Sequence, residues 1–151
     1  MKHTLWCLAV LMIAPAARAD WQYTRWGMTP EQVVAASGGT AELLPVAKRP
    51  RVPPLVTAAT GETTDGRMQL RTVFSFGIDG AGLRCVTYGV RSHADDDVFR
   101  AALIQRHGQP QATGGIAFLG LTTLDWKTAT DEITATFSKE DPAFAMQCRR
   151  G

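Results

Sequence analysis

The sequence predicts an α+β fold in which two short helices pack on one face of an antiparallel β-sheet. Two helices are indicated, one from Pro30 to about Ser37 and one from Val98 to His107, and glycine follows each. Several later segments alternate apolar and polar residues with the period of two that half-buried strands show. Short turn sequences separate these segments, as in hairpins. Helices grouped against an antiparallel sheet define the α+β class.

The first 19 residues have the pattern of a secretory signal peptide. A basic start at Lys2 precedes the apolar run 5–14, and small residues occupy the ends of Ala17-Arg18-Ala19. This pattern predicts cleavage before Asp20. A membrane anchor would need about 20 consecutive apolar residues, and Pro15 interrupts the run. We therefore expect a periplasmic or secreted protein whose mature chain has no transmembrane segment.

Loss of the signal peptide changes the charge balance. The full chain has 16 Lys and Arg residues and 14 Asp and Glu residues, and two of the basic residues, Lys2 and Arg18, lie in the signal. The mature chain, residues 20–151, therefore has 14 residues of each sign and is formally neutral. Nucleic-acid-binding proteins usually present a basic face, so no nucleic-acid partner is predicted. The length of the mature chain predicts a single domain.

Two of the three cysteines, Cys85 and Cys148, remain in the mature chain. Disulfides persist in oxidising compartments, so the sequence predicts a bridge between them, with two buried free thiols as the alternative. Each cysteine shares the apolar parity of its predicted strand, Cys85 with Leu83 and Cys148 with Phe144 and Met146. This parity predicts that both cysteines face the interior.

The first helix has a well-defined start. Thr29 is a good N-cap, Pro30 suits the first helical position, and Gln32 completes a capping box with Thr29. Gly38 follows the helix, as glycine often does at a helix C-terminus. The preceding segment 20–26 is rich in aromatic and β-branched residues and is predicted to be a short strand.

Residues 40–67 are predicted to form a long proline-rich loop. Four prolines within this range argue against a central strand or a regular helix. The loop also contains the densest basic cluster of the mature chain, Lys48, Arg49 and Arg51. A solvated connection is one interpretation of this cluster. A partner contact is the other, because long loops often carry binding residues.

Alternation predicts the strands that follow. Met68–Ile78 and Leu83–Val90 form a hairpin. Asp95-Asp96-Asp97 places negative charge at the start of the second helix, where it is favourable. Because helix and then strands occur twice, the order is compatible with a tandem helix-plus-meander duplication. The remaining predicted strands are Ile116–Leu121, Leu124–Lys127, Ile133–Phe137 and Ala143–Arg149.

The sequence predicts no catalytic residue, no metal site and no cofactor. His93 and His107 are the histidines of the mature chain, and Cys85 with either of them would supply a nucleophile and a base. A bridged Cys85 would be inert, however, and the chain has none of the sequence motifs of hydrolases, zinc proteases or phosphate-binding loops. We therefore expect a non-enzymatic protein.

The helix start carries a resemblance to a known group. Gly27-Met28-Thr29-Pro30-Glu31-Gln32-Val33 resembles the Gly-Met-Thr-x-x-x-Val motif of the SmpA/OmlA outer-membrane assembly lipoproteins, whose wider fold group includes the tandem β-lactamase inhibitory proteins. His107-Gly108-Gln109-Pro110 and Leu124-Asp125-Trp126 resemble the second half of uncharacterised exported bacterial proteins that share the Trp-Gly-Met-Thr start. Asp20 stands where the lipoproteins have their lipid-modified cysteine.

The resemblance implies helices on one face of an antiparallel sheet and a function in protein–protein contact. The predicted function is therefore a non-catalytic protein-binding module of the cell envelope, with another envelope protein as the partner. A small-ligand carrier or an enzyme inhibitor is the alternative, and a hydrolytic enzyme is a third class.

Overall fold

The computed structural model describes residues 21–151, and the predicted signal peptide, residues 1–19, lies outside this range. Helix α1 spans Pro30–Ala36 and helix α2 spans Asp96–His107. Short 3₁₀ turns lie at Val46–Lys48, His93–Asp95 and Ala117–Leu119. The strands are β1 Ala41–Leu43, β2 Arg51–Val52, β3 Leu55–Asp65, β4 Met68–Gly77, β5 Leu83–Val90, β6 Ala112–Ile116, β7 Leu121–Lys127, β8 Asp131–Phe137 and β9 Phe144–Arg149.

All nine strands belong to one antiparallel sheet in the order β1-β3-β4-β5-β9-β8-β7-β6, with β2 also paired to β3. The order shows two meanders, one after each helix, which meet where β5 pairs with β9. The α+β class is therefore confirmed. Neither helix in residues 21–151 is long and apolar enough to cross a membrane.

Both helices pack on the same face of the sheet. Val33 of α1 and Phe99 and Leu103 of α2 are buried in one hydrophobic cluster with the inward side chains of β4, β5, β7 and β8. Phe99 lies between Tyr88 of β5 and Phe137 of β8, with ring centroids 6.0 and 6.5 Å away. The single cluster confirms the predicted arrangement of helices on one face, which leaves the opposite face of the sheet uncovered by helices.

The predicted start of α1 is confirmed. The Gln32 amide donates to Thr29 Oγ1 at 3.3 Å, and the Thr29 amide donates to Gln32 Oε1 at 2.9 Å, which completes the capping box. The strand predicted for residues 20–26 is wrong over its described part, because residues 21–26 form turns. Trp21 inserts its indole into the core, 5.9 Å from Phe74, so this segment wraps the sheet instead of joining it.

The prediction of a loop over residues 40–67 is wrong. The prolines are confined to the excursion between β1 and β3, and the second half of the range is β3, the longest strand. Strand β3 is rich in threonine, which favours strands, and its pairing with β4 extends from Leu55↔Gly77 to Asp65↔Met68. A tight turn at Gly66 and Arg67 joins these two strands.

The Cys85–Cys148 disulfide is confirmed, with an S–S distance of 2.11 Å and a Cα–Cα distance of 4.1 Å. Cys85 is buried, as predicted, at 6% exposure, but Cys148 is only partly buried, and the predicted direction of the bridge toward the helices is wrong. On β9 the buried residues are Ala145 and Gln147, whereas Phe144 and Met146 are 39% and 43% exposed. Cys148 has the parity of the exposed pair, so the bridge lies on the face away from the helices.

Two nonlocal features reverse the expected parity. On β5, the register with β4 shifts between Ser75↔Cys85 and Phe76↔Leu83, which leaves Arg84 as an extra residue and places Cys85 opposite to its predicted direction. On β9, Gln147 is buried on the helix side because its side-chain amide donates to Asp131 Oδ2 at 2.8 Å. The next residue, Cys148, therefore faces the opposite side of the sheet.

We expect Thr29→Ala to lower the free energy of unfolding by about 1 kcal/mol, because the first turn of α1 loses the acceptor of its N-cap. Denaturant unfolding followed by circular dichroism measures this difference. Thr29→Ser, which retains the hydroxyl, is the matched control and should leave stability nearly unchanged. Equal losses in the two variants would contradict a capping role.

Tyr88 is a buried residue whose hydroxyl has no hydrogen-bond partner among residues 21–151. Burial raises the pKa of Tyr88 to about 12. An unfolded chain loses the same proton near pH 10. The contribution of Tyr88 to the free energy of unfolding is therefore fully present below pH 10. It is lost as pH rises from about 10 to 12, because the unfolded state releases the proton first.

Between pH 10 and 12, the titration of Tyr88 should lower the free energy of unfolding of the wild type by about 2–3 kcal/mol, and Tyr88→Phe should not show this loss. At pH 7, Tyr88→Phe should be more stable than the wild type, because an unpaired buried hydroxyl is removed. Urea unfolding at pH 7, 10 and 12 measures both effects. Tyr23→Phe is the comparison: burial also raises the pKa of Tyr23, but this second tyrosine is only half-buried, so its replacement should have the smaller effect. The prediction fails if wild type and Tyr88→Phe lose stability equally above pH 10.

Candidate functional site: the open face of the sheet

The face of the sheet away from the helices, here called the open face, carries the outward side chains of the central strands. Its middle row runs through Val73, Thr87, Met146, Thr134 and Asp125, each directly opposite the next on a neighbouring strand. Thr134 Oγ1 donates to Asp125 Oδ1 at 2.6 Å, which fixes one end of this row. The middle of the open face is therefore occupied by short β-branched side chains around an exposed methionine.

A second row lies beside the first and contains Phe144. The residues opposite Phe144 on the two neighbouring strands are Gly89 and Thr136. A Cβ atom at Gly89 would lie 2.7 Å from the Cβ of Phe144, so glycine is required for the aromatic side chain to take this position. Phe144 and Met146 thus form an apolar pair on the same strand and the same face, next to the disulfide at Cys148.

Charged side chains lie toward the β3 side of the apolar pair. Arg91 Nη1 lies 3.0 Å from Glu62 Oε1 and 3.1 Å from Glu62 Oε2. Arg71 of β4 lies opposite Glu62 of β3 and opposite Gly89 of β5. Arg71 is exposed and has no ion pair with any residue in 21–151, whereas Glu62 is bound to Arg91. The open face therefore offers a guanidinium group beside two apolar side chains.

Two shallow grooves meet at Arg71. One, of about 430 Å³, is lined by Arg71 together with Val73, Thr87, Gly89 and Phe144, and it continues to the chain before β9. The other, of about 540 Å³, lies between the turn after α1 and strands β1, β3 and β4, and its lining includes Glu42 and Glu62. Both grooves are open to solvent along their length, so they suit the side chains of a partner better than an enclosed small molecule.

The predicted basic cluster does not act as one surface. Arg49 is half-buried, and its Nε donates to the carbonyl oxygen of Leu44 at 3.0 Å. This hydrogen bond stabilises the conformation of the proline-rich segment between β1 and β3. Lys48 and Arg51 are exposed at the edge of the sheet. Of the three residues proposed as a partner contact, two remain available and one has a structural role.

The residues weighed for catalysis are separated within the described chain. Cys85 is in the disulfide. His93 lies before α2, with Nδ1 2.9 Å from Asp96 Oδ2, and His107 is the last residue of α2, with its ring 5.9 Å from that of Trp126. The 12 residues of α2 span about 18 Å. Within residues 21–151, no three His, Cys, Asp or Glu side chains form a group that could hold a metal ion.

Asp131 is a carboxylate that is only 3% exposed, and its environment indicates a structural role. Its Oδ1 accepts from Trp26 Nε1 at 2.7 Å and its Oδ2 accepts from Gln147 Nε2 at 2.8 Å. Both oxygens are thus occupied by donors from distant parts of the chain. The carboxylate joins the segment before α1 to β8 and β9 and has no free side for a substrate.

The sequence did not identify the open face as a site. The outward parity of Arg71 on β4 was evident from alternation, but Phe144 and Met146 were predicted to face the core because they are apolar. An apolar residue on the uncovered side of a sheet has no sequence signature until the buried side of its strand is known.

Replacement of Arg49 by Ser should lower the free energy of unfolding by about 1 kcal/mol, since the bond to the Leu44 carbonyl is lost. The double variant Lys48→Ser with Arg51→Ser should leave it within about 0.5 kcal/mol of wild type, as is usual for exposed positions. Chemical unfolding of both variants provides the comparison. A larger loss in the double variant would reverse these assignments.

In comparisons with known proteins, the chain matches no family model, no curated protein sequence and no solved structure. The similarity of the Gly27–Val33 motif to the SmpA/OmlA proteins and their fold group therefore remains a prediction from the sequence.

Proposed function

We propose that the protein is exported and acts as a non-catalytic protein-binding module of the cell envelope, and that it binds its partner, another envelope protein, with the open face. The observation that carries this proposal is the exposure of Phe144 and Met146 in the middle of an otherwise threonine-rich sheet face. Aromatic residues, methionine and arginine are enriched at protein interfaces, whereas charged residues are depleted at their centres.

The arrangement of polar and apolar groups supports this proposal. The centre of the open face has the apolar pair, the disulfide and short threonines. The Arg91–Glu62 pair lies on one side, and Lys127 Nζ lies 3.4 Å from Glu132 Oε1 on the other. A central apolar area with a charged periphery is the usual anatomy of an interface. Threonine side chains on a paired strand also lose little conformational freedom when a partner covers them.

Export is supported by the signal-peptide pattern of residues 1–19 and by the disulfide, because such bridges persist in oxidising compartments. The shape of the grooves favours a protein partner over a small-ligand carrier, since neither groove encloses a volume. An enzyme inhibitor would use the same kind of surface, and identification of the partner separates these two roles. Lys48 and Arg51 are proposed as a second, electrostatic contact at the sheet edge.

The proposal predicts that Phe144→Thr with Met146→Thr weakens partner binding at least about tenfold, because the few anchor residues near the centre of an interface carry most of its binding energy and cost about 2 kcal/mol or more when truncated. The partner is first captured by cross-linking to tagged wild-type protein in an envelope fraction and identified by mass spectrometry. Affinities of purified variants for it are then measured by calorimetry.

Val98→Thr is the control, because this exposed valine lies on α2, on the opposite side of the sheet from the open face and far in sequence from Lys48 and Arg51. The control should bind as wild type does. The proposal is contradicted if the control and the open-face variant bind equally well while circular dichroism shows that both are folded. A salt-dependent loss in Lys48→Ser with Arg51→Ser would identify the second contact.

A further inference from the structure

The two edge strands of the sheet differ in whether another strand can pair with them. Strand β6 ends the sheet at one side, and its five residues, Ala112–Ile116, are all exposed. This strand contains no charged residue and no proline. Alternate residues of an edge strand direct their N–H and C=O groups away from the sheet, where another strand can pair with them. Nothing within residues 21–151 pairs with the outer side of β6.

The opposite edge has the features that prevent such pairing. Strand β1 is only three residues long and carries Glu42. Helix α1 packs beside β1, and Pro45 follows it closely. Short edge strands, charged side chains and prolines are the usual means by which proteins block pairing between edges. Their presence at β1 and their absence at β6 make β6 the edge available to another strand.

Apolar side chains continue from the free edge onto the adjoining turn. Phe118 is 88% exposed, and Ile116 and Leu119 beside it are also exposed large hydrophobic residues. Gly114 and Gly115 have no side chains, so the backbone of β6 is accessible at these positions. A side chain at Gly115 would collide with the carbonyl oxygen of Leu121. A bare backbone with an apolar cluster at one end is suited to receive a strand that carries an apolar residue at the matching position.

We infer that β6 pairs with β6 of a second copy of this chain, which forms a two-fold symmetric dimer with one continuous antiparallel sheet. Antiparallel pairing about a two-fold axis uses the same strand twice, so one free edge is sufficient. The absence of charge in β6 avoids like charges opposite each other. The formal neutrality of residues 20–151 also removes long-range repulsion between copies.

A two-fold axis at Gly114 gives a complementary register. Ala112 of one copy then lies opposite Ile116 of the other, and the turn that carries Phe118 lies beside the chain before β6 of the other copy. The exposed aromatic ring of each copy is thus covered by the uncharged chain before β6 in the other copy. Because the axis is perpendicular to the sheet, both open faces lie on the same side of the dimer, and both helix layers lie on the other side.

The dimer should be weak, because a pairing of five residues and one apolar cluster buries less than a stable interface of standard size. We expect sedimentation velocity to show a concentration-dependent shift from monomer to dimer between about 1 µM and 1 mM. Hydrogen exchange of peptides that cover residues 109–120 should slow with protein concentration over the same range, whereas peptides from β1 should not change.

Ala112→Lys with Ile116→Lys tests the pairing directly, because each new lysine faces a lysine of the second copy. The dimer dissociation constant should rise at least about tenfold. Val46→Lys with Val52→Lys adds the same charge far from β6 and should have little effect. Circular dichroism melting checks that both variants remain folded, and the exchange experiment on wild-type protein does not depend on either variant.

Wild-type protein that remains monomeric at 1 mM overturns the inference. A dimer whose residues 109–120 exchange as fast as in the monomer, or one that both lysine variants weaken equally, overturns it as well. Protection of these residues only on addition of another protein would assign the edge to a strand of that protein instead. None of these outcomes depends on whether the open face binds an envelope partner.

Discussion

The pairing of β5 with β9 is the constraint on which the rest of the structure depends. Each meander is continuous in itself, and β5·β9 is the one strand pair that joins them in the described sheet. The pair extends from Cys85↔Cys148 to Gly89↔Phe144. The disulfide closes a loop with a sequence separation of 63, which contains α2 and most of the second meander. A bridge over such a loop stabilises a fold by about 4 kcal/mol in the chain-entropy model. Because adjacent strands share one parity, this seam also determines which side chains face the helices in both halves.

On the helix side of the β5–β9 pair, further contacts connect the two meanders. Phe99 of α2 packs on Tyr88 of the first meander and on Phe137 of the second. Asp131 of the second meander binds Trp26, which precedes α1. Crosslinks therefore exist on both faces, the covalent bridge on the open face and the aromatic and carboxylate contacts on the other. A sheet held in this way presents the open face as a rigid surface, which reduces the entropy that a partner must overcome on binding.

Local rules predicted the features that local interactions determine. The capping box at Thr29 and Gln32 and the alternation of β4 depend on neighbours in sequence, and both were predicted from the sequence. The features that were missed depend on distant residues. Threonine-rich β3 becomes a strand because β4 pairs with it, and Gln147 faces the core because Asp131, 16 residues away, accepts its hydrogen bond. Burial of this polar residue places Phe144 and Met146 on the open face, so the candidate site was hidden by the rule that apolar residues face inward.

The two apolar residues of the open face are not equivalent. Phe144 occupies the space above Gly89, and an aromatic side chain beside a strand glycine contributes to sheet stability. Its exposure therefore has a structural reason in addition to any role in binding. Met146 lies between Thr87 and Thr134, and neither residue requires a long apolar neighbour. Threonine at position 146 would complete the threonine row and would suit a solvent-exposed strand better. The presence of methionine at this position is the part of the open face that sheet stability does not account for, and it is the part that contact with a partner would explain.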